Sequence, residues 1–332
     1  MFQHRRNRLM RLLAVIAALA IFTAACGNDD DDDTGAGDGD DTTTTAAADD
    51  NGDDGDDGNG DDGNGDMAAA ECDEVSIGWI PWDEDVAVTN LWEALLEEQG
   101  VSVETTQSDV GPVYTGVASG DLDLFLDAWL PATHADYWEE FEADLESLAI
   151  WYDEGTLELT VPAYVDDVDS IADLADNADA FDSQIVGIEP GSGIMGITAD
   201  DAMPTYGLDD WELVESGTPA MLAELERAIN NEEPIVVTLW HPHWAYGAYD
   251  LKDLEDPEGS MGEAEELHAI ARADFSSDCP VIAEWISNFE MDGESLAALT
   301  NLVINEADSE MEGVEEWLSD EDNRALADSW IS

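Results

Sequence analysis

The chain has 332 residues, enough for two lobes with cores of their own, and 82 Asp and Glu residues stand against eight Lys and Arg. So acidic a chain repels nucleic acid and anionic lipid headgroups, which excludes both as partners. Its self-repulsion destabilises a compact fold in dilute buffer, whereas salt at 1 M shortens the Debye length to about 3 Å and screens the charges. The composition therefore predicts a halophilic source.

Residues 1–25 have the pattern of a secretory signal. The first 11 residues carry four arginines and no acid, the next 11 are apolar throughout, and two alanines precede Cys26. This apolar run is typical of a signal peptide and is too short to span a membrane. A Cys directly after small residues ends a bacterial lipoprotein signal, so we expect lipidation of Cys26. An ordinary signal peptide with an incidental Cys is the alternative.

Residues 26–70 form a segment rich in Asp and Gly, with 17 Asp and almost no large apolar side chains. Such a segment buries too little surface to offset its ordering entropy, so we expect a disordered stalk. No later stretch reaches the roughly 18 apolar residues of a spanning helix. We therefore expect an extracytoplasmic, monomeric body, anchored by lipid to the outer face of the cell membrane.

The body contains two cysteines, Cys72 and Cys279. An even pair in an oxidising compartment favours a disulfide, which would tie the start of the body to its C-terminal helices. Two unpaired thiols are the alternative.

Predicted strands and helices alternate along the body. The strands are residues 75–80, 101–106, 122–126, 184–188 and 234–239, and the helices are 86–98, 113–119, 194–202, 222–229 and most of the chain from 280. Repeated βα units predict an α/β fold with helices on both faces of the sheets. Two such sets, separated near 161–165, predict two lobes with a ligand cleft between them. The expected segments are 71–165 for lobe 1, 166–265 for lobe 2 and 266–332 for a helical return to lobe 1.

Three of the twelve tryptophans differ from the rest, because each lies where a predicted strand gives way to a loop. They are Trp82, Trp129 and Trp240. Ligands of open α/β sheets bind beyond the carboxyl ends of the strands. Three indoles that meet there from two lobes would form an aromatic cage for a cation that donates no hydrogen bonds.

A glycine-rich segment, residues 187–195, leads from a predicted strand into a helix. Free N–H groups at a helix start, together with the helix dipole, hold a carboxylate. A plain strand-to-helix turn explains the segment equally well.

The body closely resembles the glycine betaine/proline betaine substrate-binding proteins of ABC importers, which have the type II periplasmic-binding fold. The resemblance covers about residues 76–305. It is carried by residues 78–82 (GWIPW), 129–134 (WLPATH), 187–195 (GIEPGSGIM), 218–222 (TPAML) and 240–244 (WHPHW).

The resemblance implies a binding site and its partners. Trp82, Trp129 and Trp240 match the box around the trimethylammonium group of the ligand. Gly193, Ile194 and His134 match the groups that hold its carboxylate. The implied function is an osmoprotective receptor that passes a betaine to an ABC permease. Related choline binders place an acid near the cation, and Glu84 and Asp85 are close by, so a choline or carnitine receptor is the alternative.

Other functions have weaker support. His241 and His243 could be metal ligands, but no third ligand is identifiable by spacing, so we expect no metal. The chain has no nucleophile elbow, phosphate loop with Lys or zinc-protease motif, so we expect neither an enzyme nor a cofactor. A tryptophan-rich cleft could also stack on a sugar, but the matched positions offer few hydrogen-bonding side chains.

Overall fold

The computed structural model describes residues 72–332, so the predictions for the signal, Cys26 and the stalk lie outside the described residues. The strands of this part are β1 (Glu74–Trp79), β2 (Ser102–Gln107), β3 (Leu124–Leu130), β4 (Leu145–Pro162), β5 (Gln184–Val186), β6 (Glu212–Val214), β7 (Val237–His241), β8 (Leu251–Asp253) and β9 (Glu265–Arg272). They pair in the order β2-β1-β3-β9-β4-β7-β5-β6, and β8 pairs with β4.

Helices connect and cover these strands. They are α1 (Asp83–Glu98), α2 (Val110–Ser119), α3 (Ala135–Phe141), α4 (Ile171–Leu174), α5 (Gly193–Ile197), α6 (Met203–Thr205), α7 (Thr218–Asn231), α8 (Ala245–Ala248), α9 (Phe275–Asp278), α10 (Pro280–Ser287), α11 (Gly293–Asn301), α12 (Glu310–Leu318) and α13 (Glu321–Trp330). A wide helical turn, Thr198–Ala202, joins α5 to α6. Between residues 72 and 332, no helix combines the length and apolar character that crossing a membrane requires.

The strands fall into two groups that share β4. In the first group β1 pairs in parallel with β2 and β3, and β9 lies antiparallel between β3 and β4. In the second group β4 pairs with β7 and β8, and β7 continues to β5 and β6. Strand β4 pairs with β9 up to Gly155 and with β7 from Thr156 onward. The chain therefore passes from the first group of strands to the second within β4. The sequence pattern instead predicts the boundary between the lobes near residues 161–165.

The first group of strands has a hydrophobic centre because β3 is covered on both faces. All seven residues of β3 are buried, as expected for a strand that carries helices on both sides of its sheet. The last helices pack against α1: Trp92 lies 5.5 Å from Phe289 and 6.1 Å from Trp330, ring centre to ring centre. The C-terminal segment thus completes the core that the N-terminal segment begins.

Two features of the C-terminal segment bear on the predictions. The segment begins as strand β9, and helices occupy it only from Phe275, so the expectation of a wholly helical return is too simple. The structure places Cys72 and Cys279 as a bonded pair with Cα atoms 5.3 Å apart, which ties the chain before β1 to the start of α10.

Candidate functional site

A small cavity lies between the two groups of strands. Its lining residues are Trp82, Glu84, Trp129, Thr133, Leu157, Ile188, Ser192, Gly193, Ile194 and Trp240. The structure thus brings together five of the six residues predicted to bind a ligand. The sixth, His134, does not line the cavity.

Three elements bring the indoles to this cavity. Trp82 is the residue directly before α1, Trp129 is the sixth residue of β3, and Trp240 is the fourth residue of β7. The expectation that Trp129 follows its strand is wrong, because β3 continues to Leu130 through its pairing with β9. The three rings meet near the carboxyl ends of their strands all the same.

The position of Trp129 depends on a glycine in β4. A Cβ atom on Gly155 would lie 2.7 Å from Cζ3 of Trp129 and 2.8 Å from Cδ1 of Leu267. Real Cβ contacts are not this short, so any side chain here would displace the indole. Gly155 therefore shapes one wall of the cavity although it does not line it.

The indole N–H of Trp82, of Trp129 and of Trp240 each donates a hydrogen bond to a carboxylate. Trp240 Nε1 donates to Glu84 Oε2 at 2.9 Å, Trp129 Nε1 donates to Asp127 Oδ2 at 3.3 Å, and Trp82 Nε1 donates to Glu189. These bonds fix the planes of the rings, so that their faces are left for a ligand.

Several of the indole bonds cross the cleft. Trp82 belongs to the first group of strands and Glu189 to the second, whereas Trp240 belongs to the second and Glu84 to the first. Trp244, beyond β7, likewise donates to Asp83 at the start of α1. The two lobes are therefore joined by the walls of the cavity themselves.

Three carboxylates are buried next to the cage. Glu84, Asp85 and Asp127 are each at most 2% exposed. Burial raises the pKa of all three well above the ordinary range, and repulsion within the cluster raises them further. In residues 72–332 the four Lys and Arg side chains all pair with other acids, so none neutralises this cluster. Glu84 is the member that reaches the cavity, where a ligand cation would stabilise its charged form.

The start of α5 forms the opposite wall. Gly193 and Ile194 are its first two residues, and the N–H groups of a first helical turn have no partner within the helix. Ser192 precedes them but gives no side-chain cap, because its Oγ donates to the carbonyl oxygen of Glu189 at 2.9 Å. These N–H groups are therefore available to an anion in the cavity.

The α5 wall touches the first group of strands at Gly193. A Cβ atom on Gly193 would lie 2.3–2.4 Å from Cγ2 and O of Thr133, so only glycine permits this approach. Thr133 is held in turn by Glu265, which accepts from the backbone N–H groups of Ala132 and Thr133 at 2.7 and 2.8 Å. The contact brings the two lobes together around the cavity.

The ring of His134 stacks on that of Trp82, with ring centres 5.5 Å apart. Its Nδ1 accepts from the backbone N–H of Trp129 at 3.0 Å, and burial lowers its pKa to about 3. The neutral ring therefore carries its proton on Nε2, and this buried donor has no hydrogen-bond partner among the described residues. A binding role for His134 stays a prediction.

The fold and the cavity define a class of protein, a two-lobed receptor with a cavity for a small molecule between its lobes. Residues 73–320 match the family described as the substrate-binding domain of the ABC-type glycine betaine transport system (OpuAC). The chain belongs to this family, and its expected α/β fold with two lobes is confirmed.

Individual relatives agree with the family assignment. The chain is 37% identical over 136 residues to the glycine betaine/carnitine transport binding protein GbuC of Listeria monocytogenes, a match that covers 40% of this chain and 45% of that protein. It is also similar to lactococcal OpuAC in its closed-liganded conformation complexed with glycine betaine, with a TM-score of 0.73 and 32% identity over 78% of this chain and 99% of that chain. The glycine/betaine/L-proline-binding protein ProX of Borrelia burgdorferi has a TM-score of 0.73 and 30% identity over 78% of this chain and 97% of its own.

The family assignment defines the general role of the chain. Its members bind a small molecule for an ABC transporter on the extracytoplasmic side of the membrane, and they are transport proteins rather than enzymes.

Several residues of the site are not identifiable from sequence patterns. Asp127 lies in a run of seven buried strand residues, and Gly155 and Glu265 act from strands that the pattern did not predict. Thr133 lies in the WLPATH segment, residues 129–134, but a threonine there does not by itself predict a contact with Gly193.

Proposed function

We propose that this protein captures glycine betaine, with the trimethylammonium group among Trp82, Trp129 and Trp240 and the carboxylate at the start of α5. The observation that carries the proposal is the lining of one cavity by three indoles and the uncapped helix start.

Cation–π attraction supports the cage. Each indole face that meets a desolvated cation contributes about 0.5–2 kcal/mol. Asp127 holds the ring of Trp129 within its own lobe before the ligand arrives, so this wall needs little ordering on binding, whereas the bonds of Trp82 and Trp240 form as the lobes close. Glu84 adds a negative group beside the cation.

The N–H groups of Gly193 and Ile194 supply donors for the ligand carboxylate. His134 would supply a third, since the proton on its Nε2 has no partner among the described residues. A buried donor without a partner loses about 1–3 kcal/mol, and a carboxylate within reach would remove that loss. The ligand would thus be held by its cation on one side and by its anion on the other.

The receptor acts in an osmoprotective uptake system. Cys26 would carry the lipid that anchors the chain, residues 26–70 would let the body reach its permease, and the ligand would favour the closed form because it contacts both lobes. Accumulation of betaines fits a salty habitat, to which the excess of acidic residues also points.

Choline is the second candidate, because Glu84 lines the cage and choline has a cation but no carboxylate. A calorimetric titration of the lipid-free chain in molar salt, first with glycine betaine and then with choline, distinguishes the two. We expect tight binding of betaine and weak binding of choline. The reverse order would retain the cage but remove the carboxylate clamp, and binding of neither would overturn the proposal.

A further inference from the structure

A second cluster of chemically matched side chains lies behind the cage. Glu158 of β4, His241 of β7 and Asp253 of β8 each offer one ligand atom, and these three atoms lie within 4.8 Å of one another. No other group of three metal-binding side chains in residues 72–332 comes this close. The sequence offers only His241 and His243 as a pair of candidate ligands and predicts no metal, and in the structure His243 is turned toward Asp83, 3.3 Å away.

The cluster shares β7 with the cage residue Trp240 but lies on the opposite face of the sheet. Leu157 and Trp240 are directly opposite each other in the β4–β7 pair, and both line the cavity. Successive side chains of a strand point to opposite faces, so their neighbours Glu158 and His241 project from the other face. Asp253 joins them there from β8, in register with Thr160 of β4.

The ligand atoms are already oriented. His241 stacks on Tyr246 with ring centres 3.8 Å apart, and its Nε2 lies 2.8 Å from Asp253 Oδ2. The other oxygen of Asp253 accepts from Thr160 at 2.7 Å and from Tyr246 at 2.6 Å. Such outer partners fix a metal ligand in place and leave one oxygen free to coordinate.

The charge of the cluster also favours a cation. Two half-buried carboxylates face a single imidazole, and no Lys or Arg of the described chain pairs with them. The nearby Lys252 is engaged by Asp169 and by the carbonyl oxygen of Val165. One imidazole with two carboxylates is a set of ligands that suits Zn²⁺. Zinc–ligand distances are about 2.0–2.2 Å, so small side-chain movements would bring the three atoms, now within 4.8 Å of one another, around one ion.

We infer that Glu158, His241 and Asp253 form a divalent-metal site for Zn²⁺ on the face of β4, β7 and β8 that is opposite the ligand cavity. The ion replaces the proton between His241 Nε2 and Asp253 Oδ2, and that proton leaves to solvent or to Nδ1 of the same ring. Water completes the coordination, since His241 is 38% exposed and Asp253 is 31% exposed.

The test is a calorimetric titration of the lipid-free chain with Zn²⁺ in a non-chelating buffer, without betaine. We compare the wild type with His241→Gln and with His268→Gln. His268 is a matched control, because it too lies on a strand with its Nε2 near a carboxylate, Glu266, but has no second one. The acid-rich residues 27–70 are present in all three proteins, so their weak sites form a common background.

We expect one site above that background in the wild type and in His268→Gln. It should weaken at least about tenfold in His241→Gln, because removal even of a partner that only orients a ligand weakens metal binding about 10–100-fold. Circular dichroism without metal shows whether each variant is folded, and Glu158→Gln gives a second removal if His241→Gln is not. Identical titrations of the wild type and a folded His241→Gln or Glu158→Gln would overturn the inference, as would equal loss in His268→Gln.

Discussion

At the scale of single residues, the tryptophans divide by the partner of their N–H group. The three cage indoles donate to carboxylates, whereas Nε1 of the core residues Trp92 and Trp317 has no partner within the described chain. The carboxylate bond fixes a ring in its plane, and packing alone fixes the core rings. Burial does not distinguish the two kinds, because both are almost fully buried, and a carboxylate partner alone does not mark a cavity residue, since Trp244 donates to Asp83 without lining the cavity.

Replacement of one cage wall should therefore affect binding more than folding. We expect Trp129→Ala to weaken betaine binding about tenfold or more, since it removes a cation–π contact and opens the cage to water. Trp285→Ala, on α10 away from the cavity, should lower the free energy of unfolding by about 3–5 kcal/mol instead. Calorimetry and thermal unfolding of both variants separate the two effects, and equal betaine affinity in Trp129→Ala and the wild type would remove the cage.

The buried acids predict a pH dependence. The raised pKa of Glu84 means that the ligand-free fold binds more protons than the unfolded chain, so stability falls as the pH rises above about 4. A bound cation favours the ionised carboxylate, so betaine affinity should rise with pH over the same range. His134 is neutral in the fold above its pKa of about 3, so it does not change betaine affinity over this range, but its effect on stability opposes that of Glu84 up to about pH 6.5, because only the unfolded chain binds its proton there.

The variant Glu84→Gln tests the origin of this dependence. The glutamine keeps an acceptor for Trp240 but cannot gain or lose the proton of Glu84. The betaine affinity of this variant should therefore change much less between pH 5 and pH 8 than that of the wild type. Glu97→Gln, at an exposed position of the same helix, should behave like the wild type. A pH profile in Glu84→Gln that matches the wild type would assign the effect to Asp85 and Asp127, the other buried acids that face Glu84.

At the scale of elements, the contact of α5 with Thr133 controls closure. We expect Gly193→Ala to weaken betaine binding by at least about tenfold, because its methyl group would overlap the Thr133 backbone, and such overlap costs about 1–3 kcal/mol. Gly196→Ala, on the same helix with no atom near the added methyl group, is the matched control and should bind normally. Small-angle scattering with saturating betaine would show whether Gly193→Ala stays open, and a wild-type affinity in this variant would contradict the role of the contact.

Elements with a regular period were predictable, and those defined by long-range pairing were not. The alternation of strands and helices predicted β1, β2, β5 and β7 to within a few residues, and the resemblance predicted the three indoles. Strands β4 and β9 escaped the pattern, because charged residues interrupt them and their pairing lies far along the chain. Gly155, which positions Trp129, lies on β4, and Glu265, which holds Thr133, lies on β9. The sequence pattern therefore predicted neither residue, because it predicted neither strand.

The proximity of Glu158, His241 and Asp253 was not predictable for the same reason. His241 and His243 are two residues apart in the sequence, which suggests a shared face. However, β7 ends at His241, and the two side chains point in different directions. The other ligands lie 83 residues earlier, at Glu158, and 12 residues later, at Asp253. Only the pairing of β4 with β7 and β8 brings them to one face.

At the scale of the whole molecule, the excess of acid predicts a requirement for salt. Residues 71–332 carry 65 acids and four Lys or Arg, and those four already form ion pairs. Removal of salt lengthens the range of repulsion, so the Tm should fall between 2 M and 0.1 M NaCl, by about 2–4 °C for each kcal/mol lost. Thermal unfolding followed by circular dichroism, with sucrose at equal osmolality as the control, measures this shift, and an unchanged Tm would contradict the prediction.

The indole bonds that cross the cleft determine how the receptor unloads. Trp82, Trp240 and Trp244 are donors on one lobe whose acceptors belong to the other, so separation of the lobes breaks all three bonds and pulls two cage walls apart in the same rotation. Each of these hydrogen bonds adds about 0.5–3 kcal/mol to the free energy of opening, depending on the charge of its acceptor. With the proposed cage, discharge of the solute and opening of the lobes would be a single event, because opening separates Trp240 from Trp82 and Trp129.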